Sequence, residues 1–381
     1  MRRRMNPLLI VCALACLGSL RLTAQDLENL QIHGFATQGF IFSSHNNYLT
    51  MNSSAGSFQW TEGALSVSDK VTDKLRVGIQ VHMYQMGEFG GPNLMVDWAS
   101  GDYRVNDKLG FRAGKVKVPF GLYNDSQDVD SLFLWVLLPQ SLYPDDNRDY
   151  DLAELGGEVY GNLRLENAGR LQYSGHLGST RLDDKGGYMR MLAESGFTFP
   201  DPPSGKVFGG DLRWVAPWPG LVLGASAASY SLDGVGPEGQ FHMPQSLGWV
   251  AYAQWDWRRL HLAGEYYRQP FDLMFLTAEG NLASPQDSRA WYPMVRLDVT
   301  KKLQLGTYYS VGLNKAGDTS LPINYSKDWV ISSRYDFSAH FYSKLEGHFI
   351  NGTGGGFYGF NNPNGVNPRT TVLVTKLGFV F

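Results

Sequence analysis

Along most of the chain apolar and polar residues alternate one for one. Leu75, Val77, Ile79, Val81 and Met83 alternate with Arg76, Gly78, Gln80, His82 and Tyr84. Trp329, Ile331, Ser333, Tyr335 and Phe337 do so with Val330, Ser332, Arg334 and Asp336. At the end Thr371, Leu373, Thr375, Leu377, Phe379 and Phe381 share one face, opposite Val374, Lys376 and Gly378. A period of two marks strands with one side in an apolar medium. Here one side is nearly free of charge and the other carries both signs. The pattern predicts sixteen strands, near 30–42, 57–69, 73–87, 93–105, 108–118, 152–165, 168–180, 206–216, 220–231, 246–257, 259–270, 289–301, 303–314, 327–338, 340–350 and 370–381.

The connections alternate too. DKVTD, NDK, ENAG, PWPG, WRR, TKK and DFSA are short turns, whereas 181–205, 232–245 and 351–369 are long and rich in Gly, Pro, Asn and Ser. A soluble sandwich also alternates, but it has no reason to keep its short loops on one end. An outer-membrane barrel does, with short periplasmic turns and long external loops. Strands of about 9–11 residues suit a tilted bilayer crossing. Trp214, Trp257, Phe337, Phe341 and Phe381 fall near the short turns, as an interfacial girdle requires. Closure satisfies every strand edge, which lipid demands, and sixteen strands leave room for an aqueous channel. The expected fold is all-β: a sixteen-stranded antiparallel transmembrane barrel.

Composition agrees. Charged residues make up 18% of the chain and aromatics 13%, with a net charge of -3 that gives nucleic acid no basic surface. No run of 18 apolar residues offers a membrane helix. The start, MRRRMNPLLIVCALACLGSLRLTAQ, reads as a signal peptide over 1–24, with a basic head, an apolar run and small residues near Ala24. Its removal takes both cysteines and predicts an exported barrel over 25–381.

The stretch VDWASGDYRVNDKLGFRAGKVKVPFGLYND at 96–125, followed by LPQSLYP at 138–144, resembles outer-membrane porins of the phosphate-selective porin O/P and DcaP-like type. A terminal Phe381 on an alternating strand is similar to the end signal of bacterial barrels. The resemblance implies a homotrimer of sixteen-stranded pores in the cell outer membrane, embedded among lipids and lipopolysaccharide. It also implies passage of small hydrophilic solutes, with small anions such as phosphate or dicarboxylates favoured. Two features depart from the pattern: no coiled coil precedes the strand at Leu30, and the lysine-rich lumen of strict phosphate porins is not evident.

The third long connection, 119–151, is about 33 residues, far beyond the usual loop. It is acidic, with Asp125, Asp128, Asp130, Asp145, Asp146, Asp149 and Asp151 against Arg148. It leaves the strand bearing Arg112, Lys115 and Lys117. Folded inward, it would face that basic wall across a constriction; folded outward, its carboxylates would meet lipopolysaccharide-bridging cations. All three cations can line the lumen only if a bulge at Ala113–Gly114 resets the alternation. Otherwise Lys115 and Lys117 snorkel outward.

Alternation also sends Arg76, Arg164, Arg213, Arg296, Arg334 and Lys344 into the lumen, opposed by Glu158, Asp211, Glu265, Asp298, Asp336 and Glu346. His82, His176, His261 and His348 join them without metal-ligand spacing. The reading is therefore a passive porin, not an enzyme, with no cofactor. A plugged structural or adhesive barrel is the alternative. An outer-membrane hydrolase is a further one, though no Gly-x-Ser-x-Gly signature supports it.

Overall fold

The computed structural model describes residues 29–381 as one closed antiparallel barrel of sixteen strands. The expected signal peptide, with both cysteines, lies outside the described residues. The first eight strands are β1 (Leu30–Ser43), β2 (Ser57–Lys70), β3 (Leu75–Met86), β4 (Phe89–Asn106), β5 (Leu109–Lys117), β6 (Ala153–Arg164), β7 (Arg170–Arg181) and β8 (Ser204–Val215). The rest are β9 (Leu221–Gly236), β10 (Gly239–Trp257), β11 (Leu260–Thr277), β12 (Gly280–Asp298), β13 (Leu303–Asn314), β14 (Tyr325–Asp336), β15 (Phe341–Gly352) and β16 (Arg369–Val380). Each strand pairs with its neighbours in sequence, and β1 closes on β16 from Phe35↔Val380 to Ser43↔Val372. Closure leaves no unpaired edge for lipid to solvate.

The alternation sorts the side chains as the sequence predicts. Leu177, Phe208, Leu212, Ile331, Leu345 and Leu377 stand exposed on the outside. Between them, Glu158, Glu265, His348 and Lys376 point inward and are buried. Trp257, Phe337, Phe341 and Phe381 are exposed at the short-turn end. Tilted or edge-on ring pairs, Trp249–Tyr266, Trp291–Tyr309 and Trp329–Phe349, lie nearer the long-loop end. An apolar belt between two aromatic girdles is the surface of a barrel that spans a bilayer.

One expected loop is corrected. The sequence assigns 232–245 to a connection, but β9 and β10 continue as a paired ribbon to a tight turn at Pro237–Glu238. Similarly, β11 and β12 run on to Thr277 and Gly280. Past the bilayer neither face meets lipid, so alternation fades while backbone pairing continues. Gly239 and Gly280 take φ of 143° and 140° just after these turns, a backbone region that only glycine enters easily.

Candidate constriction in the barrel lumen

β5 leads into a long segment, 118–152, that has little regular structure: two 3₁₀ turns and a helical turn, Arg148–Asp151. Its backbone polar groups need partners, and many come from inward side chains of the wall. On one side Asp130 forms the centre of a buried ionic cluster. Its carboxylate lies 2.9 Å from Lys344 Nζ and 2.9 Å from Lys376 Nζ, and it accepts the Tyr342 hydroxyl at 2.7 Å. Lys376 also reaches Glu62 at 3.1 Å. Lys344 donates further to the carbonyls of Asp130 and Trp135, at 2.8 and 2.9 Å. Next to it, the Glu346 carboxylate accepts the backbone N–H groups of Val136 and Leu137, at 3.0 and 2.9 Å. His348 bridges Glu346 and Asp328 behind them.

The far wall holds the segment too. Gly121 N–H donates to Ser226 Oγ at 3.0 Å and Leu122 N–H to Glu265 at 3.2 Å. Glu265 also accepts the hydroxyls of Tyr143 and Tyr292. Toward β3 and β4, Asp128 accepts Lys117 at 2.7 Å and Gln80 at 2.7 Å, and Arg148 pairs with Asp97 at 2.9 Å. Apolar packing fills the gaps. Leu134 and Trp135 pack with Tyr292, Tyr308 and Val330. Val136 and Leu137 pack with Ile41, Trp60 and Val372. Leu122 meets Val250 and Tyr252.

Several acids of the segment are electrostatically unusual. Burial alone would raise the Asp130 carboxyl, but Lys344 and Lys376 hold it well below the usual carboxylate range. Burial pushes Asp125 up. It pushes Asp145 up to about 6, and Asp151 up to about 7 with help from the charge of Asp146.

The wall over β4–β8 keeps charged groups in contact with water. Arg112, with 40% of its side chain exposed, pairs with Asp102 at 3.0 Å and Glu158 at 2.8 Å. Arg213 lies 3.6 Å from Asp211 and donates to the Gly121 carbonyl at 3.2 Å. Closer to the short turns a partly exposed ring of charge follows. His261 sits between Asp256 and Asp298 at 2.7 and 2.8 Å, Arg296 is 3.4 Å from Asp298, and Arg334 is 2.9 Å from Asp336. Arg76 donates to Gln31 in the same zone, at 2.7 Å.

The expected site residues thus divide. Arg112, Arg76, Arg296, Arg334 and Lys344 face inward, as does Lys117 once it turns to Asp128. Asp125, Asp128 and Asp130 come from the segment itself. Lys115 is a correction. The register runs unbroken from Gly110↔Tyr160 to Lys117↔Ala153, so Gly114 inserts no extra residue despite its φ of 130°. Lys115 therefore opposes exposed Leu155 on the outside, its Nζ donating to the Val96 carbonyl at 2.7 Å. Sequence reasoning passed over Glu62, Asp97 and Lys376 as site residues. Inward parity marks Lys376, but nothing local marks it as a partner for Asp130, 246 positions away.

No protein-family model matches the sequence, and no curated protein does. Solved structures do match the fold. OmpT of Vibrio cholerae, expressed in the outer membrane, aligns with a TM-score of 0.59 at 10% identity, covering 92% of this chain and 97% of that one. The anion-selective porin of Comamonas acidovorans gives 0.57 at 12%, covering 92% and 99%. Salmonella typhi OmpF, in complex with daunomycin, gives 0.59 at 12%, covering 93% and 98%. The fold is that of an outer-membrane porin-type barrel. At such identities the likeness extends to architecture and no further.

Proposed function

We propose that the protein is a passive diffusion porin of the outer membrane, with residues 118–152 folded into the lumen as its constriction. The observation that carries this reading is the charged, partly exposed inner wall: Arg112 with Asp102, His261 between Asp256 and Asp298, and Arg334 with Asp336. Charges of that kind on the inner wall of a barrel need water around them. The passage runs beside β4–β8, where Arg112 stands on the wall and Arg213 feels the charge of Asp125 of the segment. Small hydrophilic solutes would move through it down their gradients, with neither cofactor nor covalent chemistry.

Selectivity is modest on this reading, because each arginine named on the wall except Arg76 sits beside a carboxylate. A preference for small anions such as phosphate or dicarboxylates follows from the O/P and DcaP-like resemblance, and Arg112 and Arg213 are the residues that would exert it. A homotrimer follows from the same resemblance; one of the similar structures, OmpT of Vibrio cholerae, has a trimer form.

A plugged barrel is the second reading. Its support is apolar packing across the lumen: Leu122 and Leu137, 7% and 1% exposed, pack against nearly opposite stretches of wall, β10 and β16–β2. Single-channel current in a planar bilayer under a salt gradient separates the two. Discrete steps support the porin, and the sign of the reversal potential gives its preference. Folded, heat-modifiable protein without steps would replace the porin with the plug.

A further inference from the structure

Among the described residues, four glycines of the inner wall stand directly opposite an aromatic residue of the next strand. The register pairs Gly39 with Trp60, Gly110 with Tyr160, Gly224 with Tyr252 and Gly378 with Tyr342. In each case the ring lies across the glycine, so a β-carbon there would run into it. Laying an aromatic over a glycine firms strand pairing and needs no charge. Here each of the four rings also carries a cation. Lys376 Nζ lies 4.9 Å from the Trp60 ring centre. The guanidinium carbons of Arg112, Arg334 and Arg213 lie 4.2, 4.4 and 5.3 Å from the ring centres of Tyr160, Tyr342 and Tyr252.

The four cations have different tasks. Lys376 and Arg334 hold the constriction segment, through Asp130 and through the carbonyls of Ser131 and Phe133. Arg112 and Arg213 stand on the wetted wall, with 40% and 25% of their side chains exposed. Their two seats are built alike. The Tyr160 hydroxyl donates to Asp102, which also accepts Arg112 Nε at 3.0 Å. The Tyr252 hydroxyl donates to Asp211 and accepts Arg213 Nε at 3.1 Å, and Asp211 lies 3.6 Å from that same nitrogen. Ring face and hydroxyl together keep each guanidinium along the wall, beside its carboxylate. An arginine stem is longer than that of an aspartate. Released from its ring, the guanidinium would project into the passage and make its axis more positive.

We propose that Tyr160 and Tyr252 are positioning residues of the passage. Seated across Gly110 and Gly224, they hold Arg112 and Arg213 flat to the wall and so restrain the preference for anions. This rests on the porin reading and deepens it.

Single-channel current and reversal potential of the full-length barrel under a potassium chloride gradient test it. A partly exposed cation–π contact is worth a factor of about 2–5 in the balance between seated and free arginine. Tyr160→Leu is accordingly expected to raise the anion-to-cation permeability ratio, by up to that factor. Gly110→Ala, whose methyl takes the place of the ring, should shift the ratio the same way with Tyr160 and Arg112 both intact. Tyr160→Phe keeps the ring and should retain most of the parent's ratio. In an Arg112→Gln background Tyr160→Leu should add no shift, because the group it releases is gone. A merely structural tyrosine would change current noise and leave the ratio where it was. Tyr252→Leu and Gly224→Ala put the same question to Arg213. Steps in the parent, with an unchanged ratio in folded leucine and alanine variants, would overturn the proposal and leave the porin reading standing. So would a shift that survives in the Arg112→Gln background. A parent without steps would end both. Heat-modifiable mobility reports folding. Should the leucine and alanine variants fail it, Tyr160→Phe decides alone, a shifted ratio overturning the role of the ring.

Discussion

Two residues three positions apart in sequence, Arg112 and Lys115, carry the same charge and face opposite ways. Arg112 sits between Asp102 and Glu158 on the wetted wall, and Lys115 is turned to the membrane side. Their charge reversals should therefore separate. Arg112→Glu is expected to shift the reversal potential toward cations, while Lys115→Glu leaves it unchanged. An equal shift from both would contradict the register. Asp130 offers a second test. Removing the charge of one partner in a buried ionic cluster costs on the order of 3–5 kcal/mol, and here, among the described residues, Lys344 would keep no carboxylate within ion-pair distance. Asp130→Asn is expected to loosen the segment, giving larger and noisier single-channel currents and faster trypsin cleavage within 118–152. Currents and cleavage identical to the parent would show that Asp130 does not seat it.

At the scale of elements, the segment 118–152 is held by ion pairs at Asp130 and Arg148, while Asp145 and Asp151 are buried acids with raised values, so pH acts on these groups differently. Asp145 and Asp151 have values of about 6 and about 7 when the segment is seated, above the free-chain value of about 3.9. The seated form thus binds protons that the released form gives up. Seating from these two groups is strongest below the free-chain value and weakens as pH rises through about 6 and 7. Asp130 has the opposite sign, and its contribution is lost only in strong acid. Backbone amides of 143–152 are accordingly expected to exchange hydrogen more slowly at pH 5 than at pH 8, after correction for intrinsic rates. Slower exchange at pH 8 would refute the assignment. The strands themselves were legible because lipid on one face and polar lumen on the other impose a period of two on each crossing. The turn ends of β9–β12 were not, because beyond the bilayer that contrast disappears. Lys115 was misassigned for a related reason: a glycine at 114 suggests a bulge, but only the cross-strand register shows whether a residue has been inserted.

For the molecule as a whole, the distribution of charge matters more than its sum. A net charge of -3 says little about a barrel whose inner wall pairs most of its arginines with carboxylates. The sequence could assign faces, because face is a local property of alternation. It could not assign partners such as Asp130 with Lys344 and Lys376, or Arg148 with Asp97, because those meet only when the barrel closes around the segment. Beside the passage, too, Arg112 sits between Asp102 and Glu158 and Arg213 beside Asp211, with Asp125 of the segment nearby, so the balance there turns on single residues. A pore with so balanced a wall is expected to show a small reversal potential under a salt gradient, and one that is reset by single residues. Arg213→Gln should move it toward cations and Asp125→Asn toward anions, by comparable amounts. The Asp125 effect should fade in acid, since burial raises that carboxyl. A large reversal potential insensitive to both substitutions would mean that selectivity is set elsewhere, at the external mouth rather than beside β4–β8.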